Sequence, residues 1–108
     1  MKRGEVWWVN FEPSVGSETR KIRPAVIVSN NSAYTHLNRV QIVPLTNNTG
    51  KCYPSEAVVV FNNAENKVMA DQIATVDKQR LQSLAGSISN KDLKQVERAI
   101  KVQLGLPL

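Results

Sequence analysis

The chain has 108 residues, of which 42% are hydrophobic and 21% charged, so we expect a single globular domain over residues 1–108. Its 14 Lys and Arg against 9 Asp and Glu give a formal net charge of +5, which favours a polyanionic partner such as nucleic acid or an acidic protein. The single cysteine, Cys52, excludes an internal disulfide, and no apolar run reaches the roughly 18 residues of a membrane span. The charged N-terminus lacks the apolar stretch of a signal peptide, so we expect a cytoplasmic protein without a membrane partner.

The first half of the chain is predicted to contain three strands. Residues 5–11 are rich in β-formers and follow Gly4, which makes them the first strand. Residues 12–23 form a polar, basic loop, and long loops on a small scaffold are often functional. Pro24 opens the second strand, because a proline is tolerated at the first residue of a strand. A loop with one helical turn at 33–37 separates it from the third strand, residues 39–45.

The second half continues with short strands and ends in a helix. After a second polar loop at 46–51, residues 56–61 make a fourth strand, Asn62-Asn63 a turn, and residues 67–76 one or two further strands. Ser89 and Asp92 resemble a capping box. A stripe of apolar residues at helical spacing follows, ends before the C-cap Gly105 and is predicted to belong to the core, and it consists of Leu93, Val96, Ile100 and Leu104. Four to six short strands followed by one amphipathic helix predict a mainly β, α+β fold, namely a small barrel whose open side the helix covers.

Short motifs follow one another in a fixed order along nearly the whole chain. They comprise residues 4–11, Pro13, 16–18, 23–29, 43–46, Tyr53-Pro54, 70–73 and 76–81. This ordered set resembles the toxins of the MazF/PemK family. The resemblance implies an SH3-like small barrel of the plasmid-maintenance toxin type, a homodimer, and a sequence-specific endoribonuclease acting on single-stranded RNA such as mRNA. It also implies a cognate antitoxin, whose acidic and partly disordered tail wraps the toxin and blocks its active site.

The same resemblance assigns roles to individual residues. It implies that Arg23, in the Arg-Pro pair, and Thr46, after the third strand, carry the chemistry, and it implicates Glu18 in some members. One departure is visible at residues 19–22, where many relatives have Gln and Gly. Taken alone, Arg23 would be a surface charge, Thr46 a turn residue, and Glu18 an ion-pair partner of Arg20 or Lys21.

These residue types suit RNA cleavage, because RNA carries its own nucleophile, the 2′-hydroxyl. His36 is the only histidine, which excludes a two-histidine mechanism, and the scattered carboxylates with Cys52 make no obvious metal ligand set. We therefore expect no metal and no cofactor. Arg23 has a planar, permanently charged guanidinium that fits a phosphate, Thr46 can orient that phosphate, and Glu18 is the candidate general base.

A second group of residues is predicted to bind RNA without reacting. Arg20, Lys21 and Lys51 are expected to follow the phosphates, while Tyr53 either stacks on a base or packs beside Pro54. The remaining candidates for RNA contact are Asn47, Asn48 and Gln72. Trp7 and Trp8 are adjacent in a strand and so point to opposite faces, one toward the core and one toward a dimer contact or the RNA.

Two alternative functions share this architecture. A gyrase-poisoning toxin of the same fold would rely on a C-terminal tail containing Trp, whereas residues 104–108 contain none. A non-catalytic SH3-like RNA-binding module would bind RNA without cutting it, and the substitution Arg23→Ala distinguishes that module from an enzyme.

Overall fold

Seven strands and two α-helices make up the fold in a computed structural model, which describes residues 1–108 except for the side chain of Tyr34. The strands are β1 (Glu5–Asn10), β2 (Ile22–Ile27), β3 (Arg39–Thr46), β4 (Glu56–Phe61), β5 (Ala64–Met69), β6 (Ala74–Asp77) and β7 (Leu81–Ser87). Helix α1 spans Asn31–His36 and helix α2 spans Asn90–Leu104, while Ala70–Gln72 and Lys78–Arg80 form short 3₁₀ turns.

The sheet is antiparallel, in the order β4-β5-β3-β2-β1-β7, and β6 pairs with β3 beside this path. Its central strands bury both faces, because successive residues of a strand point to opposite sides. Val6 and Val26 belong to one hydrophobic cluster, and Val9 and Ala25 belong to a second one. The apolar runs of β1, β2 and β3 thus fill two parts of a curled, barrel-like sheet.

Helix α2 covers one end of the sheet and packs mainly against β4. The Ser89 hydroxyl accepts a hydrogen bond from the Asp92 amide at 3.1 Å, and Gly105 ends the helix with a φ of 69°. The capping box is only half formed, because the Asp92 carboxylate accepts from the Val60 amide at 2.9 Å. Val96 and Ala99 are buried, whereas Leu104 is 53% exposed, so the prediction that Leu104 belongs to the core stripe was wrong.

Two strand predictions need correction. Strand β2 begins at Ile22 rather than at Pro24, because β1 pairs with it as far as the Asn10–Ile22 position, and Arg23 therefore lies in a strand and not in the preceding loop. Strand β7 was not predicted. It pairs with β1 through an irregular register, which shifts between Val6 and Trp7 and again between Trp8 and Val9. Such irregular pairing leaves no clean alternation of polar and apolar residues in the sequence.

Candidate functional site

A cleft of about 800 Å³ opens where β2 and β3 cease to pair. The residues that pair between β2 and β3 are Ile27 with Ile42, Val26 with Val43 and, last, Ala25 with Pro44. The same register, continued by two residues beyond this last pair, places Arg23 opposite Thr46. Pro24 lies where the pairing stops, and it has no N–H with which to extend a ladder. The strands diverge there, and both Arg23 and Thr46 line the cleft between them.

Two connections between neighbouring strands contribute the sides of this cleft. The β1–β2 loop contributes Ser17, Thr19 and Arg20, and the β4–β5 hairpin contributes a set missed by the sequence analysis, consisting of Phe61, Asn62, Ala64, Glu65 and Asn66. The turn at Asn62-Asn63 was the available signal for this hairpin, since both residues have the positive φ of a tight two-residue turn. The cleft is also lined by Trp8, which is 40% exposed, whereas Trp7 packs against a core cluster.

Arg23 and Thr46 are both able to contact a phosphate. The Arg23 side chain is exposed and makes no hydrogen bond or ion pair with any residue that the structure describes. The Thr46 Oγ1 accepts a hydrogen bond from the Asn48 amide at 3.2 Å. Because that bond uses the oxygen as an acceptor, the hydroxyl proton stays available for donation to an anion. Thr46 is thus a turn residue and a cleft residue at once.

Glu18 lies beside this cleft and not in it. Its Oε1 accepts a hydrogen bond from the Val15 amide at 2.8 Å, and it lines a neighbouring cavity of about 400 Å³ together with Asp71 and Arg80. Arg20 donates instead to the Gly16 carbonyl, and the Lys21 backbone amide donates to Glu12. None of the ion pairs among the described residues joins Arg20 or Lys21 to Glu18, the partner that the sequence suggested. Among the described residues that line the cleft, Glu65 alone carries a carboxylate.

The predicted RNA-binding residues fall into two groups. Arg20, Asn47 and Gln72 line the cleft. The Gln72 side chain also anchors the β1–β2 loop, because its Oε1 accepts from the amide and the hydroxyl of Thr19 at 3.2 and 3.3 Å.

The second group lies outside the cleft and comprises Lys21, Asn48, Lys51 and Tyr53. The Lys51 ammonium lies over the Tyr53 ring at 5.0 Å from its centroid, and Tyr53 is 52% exposed. The Asn48 Oδ1 accepts from the Gly50 amide at 3.4 Å, which shapes the loop after Thr46.

Neither a metal cluster nor a membrane-spanning helix is present in the described part of the chain. No group of three or more His, Cys, Asp and Glu side chains comes together there as a metal-binding set. Neither of the helices is long and apolar enough to cross a bilayer.

Comparison with known proteins agrees with the resemblance in the sequence. A family model described as the PemK-like, MazF-like toxin of type II toxin–antitoxin systems matches residues 2–104. The chain is 36% identical to endoribonuclease MazF9 of Mycobacterium tuberculosis, over 98% of both chains. It is 31% identical to endoribonuclease MazF of Staphylococcus saprophyticus, over 98% of this chain and 92% of that one.

The solved structures that resemble this one extend the comparison to the fold. A mycobacterial endoribonuclease in complex with its cognate antitoxin matches with a TM-score of 0.83 and 27% identity, over 100% of this chain and 98% of the other. MazF of Deinococcus radiodurans matches with a TM-score of 0.86 and 24% identity, over 98% and 97% of the chains. The predicted fold class, a mainly antiparallel β half-barrel with a C-terminal helix, is confirmed. The chain belongs to the PemK/MazF-like toxin family of type II toxin–antitoxin systems.

Proposed function

We propose that the protein is a sequence-specific, metal-independent endoribonuclease toxin that cuts single-stranded RNA and is neutralised by a cognate antitoxin. The observation that carries the proposal is the meeting of Arg23 and Thr46 in one cleft, at the opposing positions where β2 and β3 separate. The endoribonuclease names of relatives that are 36% and 31% identical support the same activity. The protein is expected to act in the cytoplasm as a single-domain homodimer.

The reaction uses a nucleophile that the RNA itself supplies. The 2′-oxygen attacks the adjacent phosphorus, the P–O5′ bond breaks, and the products are a 2′,3′-cyclic phosphate and a 5′-hydroxyl. A general base takes the 2′-hydroxyl proton, and the leaving 5′-oxygen gains a proton.

Arg23 and Thr46 act on the charge that develops during this reaction. The guanidinium of Arg23 is permanently protonated and forms paired hydrogen bonds to phosphate oxygens, so it stabilises the pentavalent phosphorane. The Thr46 hydroxyl donates to a non-bridging oxygen and fixes its orientation. Arg23 does not serve as the base, because an arginine guanidinium keeps its proton in proteins and can only donate hydrogen bonds.

Recognition of the antitoxin follows from the positive charge of the protein and of the residues that line the cleft. The chain has a formal charge of +5, and Arg20 and Arg23 both line the cleft. An acidic antitoxin segment therefore competes with RNA for the cleft, in keeping with the complex of a similar endoribonuclease with its cognate antitoxin.

The test is to map cut sites and end chemistry on a mixed RNA pool in the presence of EDTA, with the variant Arg23→Ala beside the native protein. We expect cleavage at a short recurring sequence, 5′-hydroxyl products, and a rate roughly 100–1,000-fold lower for the variant, because it lacks a preorganised donor. RNA binding should weaken far less than cleavage. Equal cleavage by Arg23→Ala, or products with a 5′-phosphate, would contradict the proposed mechanism, and binding without cleavage by the native protein would favour a non-catalytic module.

A further inference from the structure

Lys67 is the one charged residue that the described structure buries, at 8% exposure. It lies in β5, opposite Thr46 on β3 and opposite Val58 on β4. Lysine is almost never buried without a partner, so its contacts define what the residue does.

Two groups meet the Lys67 ammonium. Its Nζ lies 3.3 Å from the Glu56 Oε1 and donates to the Lys51 carbonyl at 2.8 Å. Glu56 is itself only 13% exposed, and its Oε1 accepts from the Tyr53 amide at 2.9 Å, while the Tyr53 carbonyl accepts from the Glu56 amide at 2.8 Å. We call Lys67 and Glu56 the clasp.

The clasp fastens a segment that crosses a strand. In the sheet order, β5 lies between β3 and β4, so the connection 47–55 between those two strands has to pass over the end of β5. Lys67 belongs to the strand that is crossed, and it hydrogen-bonds the backbone of the segment that crosses it. The clasp thereby fixes the connection 47–55 relative to Thr46, the residue paired with Lys67.

Stability alone does not account for this arrangement. Withdrawing two charges from water costs about as much as their attraction returns, and replacing a buried ion pair with apolar residues of similar size is often neutral or stabilising. A buried pair is better suited to selecting one geometry among several. The geometry selected here is that of Lys51 and Tyr53.

Lys51 and Tyr53 form a surface suited to a nucleotide. The Lys51 ammonium covers the Tyr53 ring at 5.0 Å, and the 52% exposure of Tyr53 leaves ring surface for a base. An aromatic ring next to a cation binds a base by stacking and its phosphate by charge. The connection that carries this platform begins at Asn47, which lines the cleft.

We propose that Lys67 and Glu56 are positioning residues that hold Lys51 and Tyr53 as a stacking platform for an RNA nucleotide flanking the scissile bond. The inference rests on the proposed function, because the nucleotide belongs to the RNA that is cut in the cleft. The platform acts on substrate binding and not on the chemical step, since neither side of the clasp lines the cleft.

The experiment compares native protein with Lys67→Met, using RNA oligonucleotides that contain the mapped cut site and are shortened one nucleotide at a time from either end. Methionine keeps an unbranched stem and removes the ammonium. Native protein should show one trimming step that raises KM roughly 5- to 150-fold, the size of one lost stacking contact. Lys67→Met should have this higher KM already with the full-length oligonucleotide, while its kcat stays nearly unchanged. The same trimming step should then leave the KM of Lys67→Met unchanged.

A double-variant cycle separates positioning from general damage. If the clasp acts through Tyr53, the KM of Lys67→Met with Tyr53→Ala equals that of Tyr53→Ala alone. Lys91→Met, which removes an exposed lysine from α2, should behave like native protein and controls for the loss of one charge. Independent, additive effects of the two substitutions on KM, or an equal fall in kcat on every oligonucleotide, would overturn the proposal.

A backbone measurement keeps the inference separate from the proposed function. Amide hydrogen exchange at Tyr53 and Glu56 should be faster in Lys67→Met than in native protein, while exchange in the core strand β2 stays the same. Unchanged exchange at these two amides refutes the clasp even if RNA is cut. If native protein cuts no RNA, the proposed function fails, and the binding of a mixed pool of single-stranded RNA oligonucleotides to native protein and to Lys67→Met then decides whether the platform holds RNA.

Discussion

Arg23 and Thr46 are strand residues that became cleft residues because the pairing between their strands stops two positions earlier. Their identity could be predicted from motifs in the sequence, since an Arg-Pro pair and a threonine after an apolar run are local features. Their juxtaposition could not, because it depends on the register between two strands, and a shift of one residue would have placed the side chains on opposite faces.

The base that takes the 2′-hydroxyl proton is a prediction at the residue scale. Glu18 was the sequence-based candidate, and Glu65 is the carboxylate that lines the cleft. If the Glu18 carboxylate stays bonded to the Val15 amide during the reaction, Glu18 is not the base, and we expect Glu18→Gln to cut RNA like native protein. The measurement is the pH dependence of kcat/KM for Glu18→Gln and for Glu65→Gln, each against native protein.

The substitution that removes the base lowers kcat/KM by roughly 100-fold or more and abolishes the acidic limb of the profile. The other substitution leaves that limb in place. If both variants keep the native profile, neither carboxylate is the base, and a solvent-assisted transfer has to replace this step of the mechanism.

Lys67 shows why some functional candidates escape sequence reasoning. A lysine in a strand is ordinarily a solvent-facing residue, so residues 67–76 indicated only one or two strands. Its burial arises from a neighbour eleven positions earlier in the chain, Glu56, and from a connection that crosses its strand. Neither relation leaves a periodic pattern in the sequence.

At the scale of elements, the β1–β2 loop is held in place by a residue far along the chain. Gln72 follows β5, and it accepts two hydrogen bonds from Thr19, 53 residues away in sequence. Its amide also donates to the Ser17 carbonyl at 3.5 Å. These contacts hold the loop that places Arg20 in the lining of the cleft, so Gln72, a predicted RNA contact, has an anchoring role as well.

The substitution Gln72→Ala is predicted to release this loop. Loss of its hydrogen bonds should raise KM for RNA and accelerate amide exchange at Thr19, while the melting temperature falls by several degrees because each such bond contributes about 1 kcal/mol. Gln79→Ala is the matched control, since that exposed side chain lines neither cavity beside the loop. An unchanged KM together with unchanged exchange at Thr19 would contradict the anchoring role.

Elements with a clean periodicity were predictable, and irregular ones were not. The alternation of β4 and the helical spacing of α2 correspond to the observed burial of Val59 and Val96. Strand β7 was missed because its pairing with β1 shifts register twice and one of its residues, Gly86, meets the Phe61 ring closely. A side chain at position 86 would put its Cβ only 2.9 Å from that ring. Close packing of this kind is a tertiary constraint that no local propensity expresses.

At the scale of the whole molecule, the net charge of +5 predicts salt-dependent RNA binding. Binding to a single strand releases counterions, and the logarithm of the affinity falls with the logarithm of salt concentration at a slope of about −0.7 for each phosphate contacted. If Arg20, Arg23 and Lys51 each contact a phosphate, the slope is about −2. The measurement uses an RNA oligonucleotide with a 2′-deoxy residue at the cut site, which binds without being cut.

Removal of one contacting cation should flatten that slope. Arg20→Ala is expected to reduce its magnitude by about 0.7, whereas Lys91→Ala, on the exposed side of α2, should leave it unchanged. A slope that is the same in Arg20→Ala and in native protein would exclude a phosphate contact at Arg20.

The joining of the first and last elements of the fold has a consequence for synthesis of the toxin. Strand β1 pairs with both β2 and β7, and Arg3 bonds Glu97 at 2.7 Å across 94 residues of sequence. Contacts so distant in sequence form only when both segments have left the ribosome. A nascent chain therefore carries Arg23 and Thr46 long before it has the scaffold that aligns them.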